Sequence, residues 1–90
     1  MINQALDMLN RLIDQGIDWA EAEYQTLNAY PNVSYQKLID AYDTDLALGH
    51  LNGLMRKGMQ YQQAVELTLH TNPVSRQQLL DAYDAQELAK

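Results

Sequence analysis

The feature that most constrains this 90-residue chain is an internal duplication. The segment Val33–Asp43 returns as Val74–Asp84, and eight of its eleven positions are identical. Upstream of it, residues 3–31 match residues 45–73 at ten of twenty-nine positions. The second copy lacks one residue after its proline, so the offset between the copies falls from 42 to 41. A repeat of about forty residues indicates one supersecondary unit that occurs twice.

Each copy is predicted to contain three helices. In the first copy, apolar residues at helical spacing indicate a helix that ends at Gly16, because glycine readily takes the left-handed conformation found at helix C-termini. Asp18 is expected to cap a second helix, with Glu21 three residues later in the capping-box position. Ser34 is expected to cap the third helix, and the second copy repeats the pattern around Gly58.

A fourth helix is expected to begin where the copies join, capped by Thr44 or Asp45. The joining stretch is short and contains no flexible segment, so the copies are expected to share a core. The predicted fold is therefore all-α, with six short helices as two tandem copies of a three-helix unit. The copies comprise residues 1–44 and 45–90 and are expected to pack together as one compact domain.

Charge is unevenly distributed between the copies. Up to Asp45, eight acids are present with only Arg11 and Lys37, so this half carries −6 while the remainder is neutral. Binding to a phosphate backbone needs clustered Lys and Arg, so direct nucleic-acid binding is not expected. The chain has no cysteine, no basic and apolar start typical of a signal peptide, and no apolar run long enough to span a bilayer. A cytoplasmic protein that does not enter a membrane is therefore expected.

The run Leu54–Met59, with Ala64 beyond it, resembles part of a ubiquitin-associated (UBA) domain. In that family a Met-Gly-Phe-like loop follows the first helix, and a small residue lies six positions after the glycine. Both copies keep this spacing, as Gly58 and Ala64 do. Ile17 and Met59 replace the family's aromatic residue, and proline replaces an Asn pair in a longer second loop. The resemblance implies tandem three-helix units that bind a partner through surfaces including Ile17 and Met59.

The predicted partner-binding residues combine acids around the Gly16 turn with apolar residues near helix ends: Asp14, Ile17, Asp18, Trp19, Glu21, Glu23 and Met59. Exposed aromatic and Met residues are typical interface anchors, although these residues would equally serve to seal two small cores. A helix N-terminus favours negative charge, which gives Asp18 and Glu21 a structural explanation but not Asp14.

Four tyrosines are assigned to the buried faces of the predicted helices because of their helical spacing: Tyr24, Tyr35, Tyr42 and Tyr83. Nothing in the pattern indicates catalysis, a metal or a cofactor. The chain has no Gly-rich phosphate loop, nucleophile elbow or cysteine nucleophile. Its two histidines have no neighbouring cysteine, and its Asp-x-x-Asp pairs lack the glycine turn of an EF-hand.

These features favour a non-catalytic protein–protein interaction module. Its acidic first copy is expected to meet a basic or nucleic-acid-associated partner, as an adaptor or a stoichiometric inhibitor. Small acidic proteins that mobile elements encode to block nucleic-acid enzymes, such as anti-CRISPR or DNA-mimic proteins, share this charge and size. The alternative is a helix-turn-helix-type DNA-binding regulator, because a short turn joins each second and third helix. In the first copy's third helix, Lys37 is outnumbered by Asp40 and Asp43, which argues against reading of a DNA groove.

Overall fold

The computed structural model describes residues 2–90, which form five helices and no strand. The helices are α1 (Ile2–Asp14), α2 (Trp19–Ala29), α3 (Tyr35–Arg56), α4 (Tyr61–Thr71) and α5 (Arg76–Leu88). The all-α class predicted from the sequence is confirmed. Within this described range, no helix combines the length and the apolar character needed to cross a membrane.

The predicted break between the third and fourth helices is wrong, because α3 continues without interruption from Tyr35 to Arg56. Thr44 and Asp45, which were expected to cap a new helix, lie inside α3. No glycine or proline occurs between Tyr35 and Leu48, so the helical hydrogen bonds meet no obstacle there. The six predicted helices are therefore five in the described chain.

The chain forms two compact units whose boundary falls inside α3. The first unit ends at Ala41 and the second runs from Tyr42 to Lys90, whereas the sequence placed the boundary after residue 44. With the structural boundary, six acids and two bases give the first unit a charge of −4, and six acids and four bases give the second −2. The asymmetry is smaller than predicted, because Asp43 and Asp45 belong to the second unit. The expectation that the copies share a core stays a prediction.

Gly16 and Gly58 end α1 and α3 through the same backbone motif. Both residues have positive φ, 89° and 102°, which side chains disfavour and glycine accepts. After Gly16, the N–H of Ile17 donates a hydrogen bond to the carbonyl of Leu12 at 3.1 Å. After Gly58, the N–H of Met59 donates the equivalent bond to the carbonyl of Leu54 at 3.1 Å. These are Schellman motifs, with glycine just beyond each helix end. The predicted helix stops at both glycines are confirmed.

Five repeat positions are fully buried in both units. Five residues of the first unit have no exposed surface: Ala5, Leu9, Ala22, Thr26 and Leu38. Their counterparts at offsets of 42 or 41 are equally buried in the second unit: Ala47, Leu51, Ala64, Thr68 and Leu79. The bounds of α2 and α4 are also related by 42, and the first residues of α3 and α5 by 41. Repeat positions are therefore structurally equivalent, so each unit serves as a reference for the other.

Equivalent serines begin the helix that follows each proline. The Oγ atoms of Ser34 and Ser75 accept hydrogen bonds from the N–H groups of Lys37 and Gln78, each at 3.1 Å. Gln78 returns the bond from its side chain to the N–H of Ser75 at 2.8 Å, which completes a capping box. The predicted serine caps are confirmed, and they fix where the third helix of each copy begins.

Candidate functional site

The predicted acidic cluster lies around the start of α2. Asp18 Oδ1 accepts a hydrogen bond from the N–H of Glu21 at 3.0 Å, so Asp18 is the predicted cap of this helix. The exposed carboxylate of Glu21 accepts from Gln25 Nε2 at 3.1 Å. Asp14 is exposed in the last turn of α1, where the helix dipole disfavours a carboxylate. Asp18 therefore stabilises the fold directly, whereas the position of Asp14 does not benefit the helix.

Ile17 and Met59 follow the two Schellman glycines and are partly buried. The residue at this position commonly makes an apolar contact with the last turn of the helix it follows. Met59 packs against the core of the second unit, as does Leu54 in that last turn. Packing explains this methionine, and the role of both residues in binding stays a prediction.

Three aromatic residues of the first unit expose much of their surface. Trp19 is 38% exposed, Tyr24 64% and Tyr35 54%. The assignment of Tyr24 and Tyr35 to buried faces is therefore wrong. The buried residues of α2 are Ala22 and Thr26, and Tyr24 is two positions from each, so it lies on the opposite side of the helix.

The second unit shows that Tyr24 and Tyr35 occupy surface positions. Their counterparts are Glu66 and Arg76, whose exposed side chains form an ion pair with a 2.5 Å separation between Oε1 and an Nη atom. Because equivalent positions have equivalent places in the fold, a position that carries an exposed charged residue in one copy is also expected to be solvent-exposed in the other. This signal was present in the sequence, but apolar spacing within a single copy does not reveal it.

Glu23 stands where the second unit has Val65, a core residue that is 3% exposed. Its Oε2 atom is buried and has no hydrogen-bond partner among residues 2–90. A buried carboxylate oxygen without a donor is costly, because it loses water and gains nothing in return. A donor from outside the chain would relieve that cost.

In the second unit, the equivalent positions line a groove of about 370 Å³ between α4 and α5: Tyr61, Gln62, Val65, Glu66, Arg76 and Leu80. Their counterparts in the first unit are Trp19, Ala20, Glu23, Tyr24, Tyr35 and Ile39. Because the helix bounds and the fully buried positions agree between the units, we expect these residues to share one face between α2 and the start of α3. We call Trp19, Glu23, Tyr24 and Tyr35 the aromatic–acidic face.

A second groove of the second unit, of about 610 Å³, is lined by Asn52, Met55, Arg56, Tyr83, Gln86, Glu87 and Lys90. The amides of Asn52 and Gln86 exchange two hydrogen bonds, at 2.6 and 3.1 Å. The bond from Lys90 lowers the pKa of Glu87, while partial burial and the bond to Glu87 raise the pKa of Tyr83. Much of the polar surface of this groove is thus satisfied within the chain, unlike Glu23 Oε2.

His50 lies beside polar side chains at the end of α4. The Nδ1 atom of exposed His50 lies 3.1 Å from Asn72 Nδ2 and 3.3 Å from Thr71 Oγ1. Across the described part of the chain, no three His, Cys, Asp or Glu residues are grouped so that they would hold a metal ion.

The chain matches no protein-family model, and no curated protein or solved structure is significantly similar to it. The resemblance to UBA domains stays a prediction. Any assignment of function to this chain therefore rests on its own residues, and above all on the differences between its two units.

Proposed function

We propose that the protein is a non-catalytic binding module whose first unit docks onto a basic protein surface, as an adaptor or a stoichiometric inhibitor. The observation that carries the proposal is the aromatic–acidic face. The second unit builds the same helices and core with an ion pair at the positions of Tyr24 and Tyr35. The fold therefore does not need two exposed tyrosines there, and exposed aromatic clusters are characteristic of protein interfaces.

Charge supports a basic partner. The first unit carries −4, and Asp14 precedes its Schellman glycine by two residues. At the equivalent turn of the second unit, Arg56 and Lys57 stand in place of Asp14 and Gln15. The two turns share one backbone motif but have opposite charge, so a basic surface would be steered to the first.

Basic surfaces of this kind are typical of proteins that bind nucleic acids. A small acidic protein that covers such a surface would compete with the nucleic acid for it, as an anti-CRISPR or DNA-mimic protein does. We therefore propose a nucleic-acid-associated protein as the class of partner.

The test uses a Lys- and Arg-rich peptide as probe and two charge-matched variants. Asp14→Lys with Glu23→Lys changes the first unit, and Asp81→Lys with Asp84→Lys changes exposed acids of the second; each pair moves the net charge from −6 to −2. The first pair is expected to slow association and flatten its salt dependence more than the second pair does, because local charge governs steering. Circular dichroism checks that both variants remain helical. Equal effects of the two pairs would contradict a docking site on the first unit.

A further inference from the structure

We infer that the aromatic–acidic face holds an arginine side chain of the partner, an inference that rests on the proposed function and names the group recognised. Such an occupant has to satisfy two requirements at once. It must pack against the exposed aromatic surface that Trp19, Tyr24 and Tyr35 provide, and it must donate a hydrogen bond to the buried oxygen of Glu23.

In the second unit, the side chain of an arginine borders the corresponding groove. Arg76 lines the α4–α5 groove beside Tyr61 and pairs there with Glu66. The second unit thus supplies an arginine of its own to the lining of the groove. The first unit has Tyr35 at the position of Arg76, and the residues that correspond to the groove lining include no Lys or Arg.

The glutamate of this face also occupies different repeat positions in the two units. In the second unit Glu66 is exposed and already paired with Arg76, and the preceding residue, Val65, is apolar and buried. In the first unit the corresponding pair is Tyr24 and Glu23, so the acid lies one position earlier, at a site that the second unit buries. Its Oε2 atom has no donor within the described chain. The first unit therefore keeps the acceptor and the aromatic surface but lacks the cation.

Among cationic groups, arginine fits these requirements best. Its planar guanidinium stacks on aromatic rings, carries five N–H donors and is more weakly hydrated than an ammonium group. It can therefore lie against a tyrosine ring and still donate to Glu23. Lysine offers a compact, strongly hydrated charge that stacks less well, and a trimethylated lysine has no N–H to donate.

Trp19 is the only tryptophan in the chain and belongs to this face, so its emission reports occupancy directly. The probes are three short peptides that are identical except for one central residue: arginine, lysine or the uncharged isostere citrulline. The arginine peptide is expected to shift the emission of Trp19 saturably and to bind several-fold more tightly than the lysine peptide. The citrulline peptide is expected to lose at least about tenfold in affinity, as for a charge-assisted hydrogen bond.

Two isosteric variants locate the site. Glu23→Gln is expected to weaken binding of the arginine peptide by at least about tenfold, whereas Glu66→Gln, its matched control in the second unit, is expected to leave binding unchanged. Thermal melts establish that both variants are folded. Equal binding of the arginine and lysine peptides, with Glu23→Gln as active as the parent, would overturn the arginine site while leaving a basic partner in place. Failure of both cationic peptides to bind would overturn the arginine site and the proposed function together.

Discussion

Thr26 and Thr68 occupy equivalent buried positions, yet their hydroxyl groups have different surroundings. Thr26 Oγ1 donates to the carbonyl of Ala22 at 2.8 Å. Thr68 Oγ1 is buried and finds no hydrogen-bond partner within residues 2–90. An unpaired buried hydroxyl costs free energy, whereas a paired one contributes modestly to stability. The same residue is thus stabilising in one unit and a liability in the other.

Valine replaces threonine with similar volume and removes only the hydroxyl. Thr68→Val is expected to raise the free energy of unfolding by about 1 kcal/mol, and Thr26→Val to lower it by about 1 kcal/mol. Urea denaturation of the two variants beside the parent measures both changes. If Thr68→Val proved the more destabilising of the two, the two hydroxyl environments described above would be wrong.

Single residues also show where prediction from sequence succeeds and where it fails. Gly16 and Ser34 were identified correctly, because positive φ and helix capping are local requirements with strong residue preferences. Tyr24 and Tyr35 were misplaced, because tyrosine fits both a buried stripe and an exposed binding face. Alignment of the two copies resolves this ambiguity, since the counterparts Glu66 and Arg76 are charged.

At the scale of helices, α3 contains two interior glycines that its repeat partner α1 does not have. Gly49 and Gly53 correspond to Asp7 and Arg11 of α1. Apart from the neighbouring residues and backbone of its own helix, a Cβ atom placed on either glycine meets no atom within 4 Å in the described chain. Neither glycine is therefore required by close packing, and their cost is the backbone entropy that glycine loses in a helix.

Alanine substitutions distinguish a glycine inside a helix, such as Gly49 or Gly53, from a glycine that ends one, such as Gly58. Gly49→Ala and Gly53→Ala are each expected to raise the free energy of unfolding by up to about 1 kcal/mol, because alanine favours the helix. Gly58→Ala is expected to lower it by about 1 kcal/mol or more, because φ there is 102°. Chemical denaturation gives all three values. Stabilisation by Gly58→Ala would contradict the Schellman motif at that turn.

The continuity of α3 was not predicted, since Thr44 and Asp45 are residues that commonly cap helices. Capping residues also occur inside helices, so such a signal decides little without a helix stop before it. The stretch between Tyr35 and Leu48 has no glycine or proline to supply that stop. The absence of glycine and proline predicts the continuous helix better than the presence of capping residues predicts a break.

Asp45→Pro distinguishes one continuous helix from two. If Thr44 capped a new helix, residue 45 would be its first position, where proline is favourable. Inside α3, proline removes a backbone hydrogen bond and clashes with the preceding turn, so a loss of about 3 kcal/mol in stability and of helical signal is expected. Circular dichroism during thermal melting measures both. A variant as helical and stable as the parent would contradict the continuity of α3.

At the scale of the whole chain, two units share one backbone plan and differ in surface chemistry. The matched cores and turns account for what the copies have in common. Their charges of −4 and −2, and the replacement of an ion pair by Tyr24 and Tyr35, are differences that the fold does not need. The duplication is visible in the sequence, and Trp19 and Glu23 are among the candidate binding residues predicted from it. The other half of the aromatic–acidic face emerged only when side-chain exposure was known.

The most direct test gives the first unit the ion pair of the second, through Tyr24→Glu together with Tyr35→Arg. The measurement is the dissociation constant for the single-arginine peptide. Because the second unit folds with these residues, the variant is expected to keep the parent's unfolding midpoint and to bind at least about tenfold more weakly, since two stacking rings are lost and the new arginine competes for the face. Binding as tight as that of the parent, in a folded variant, would show that the aromatic–acidic face is not the binding surface.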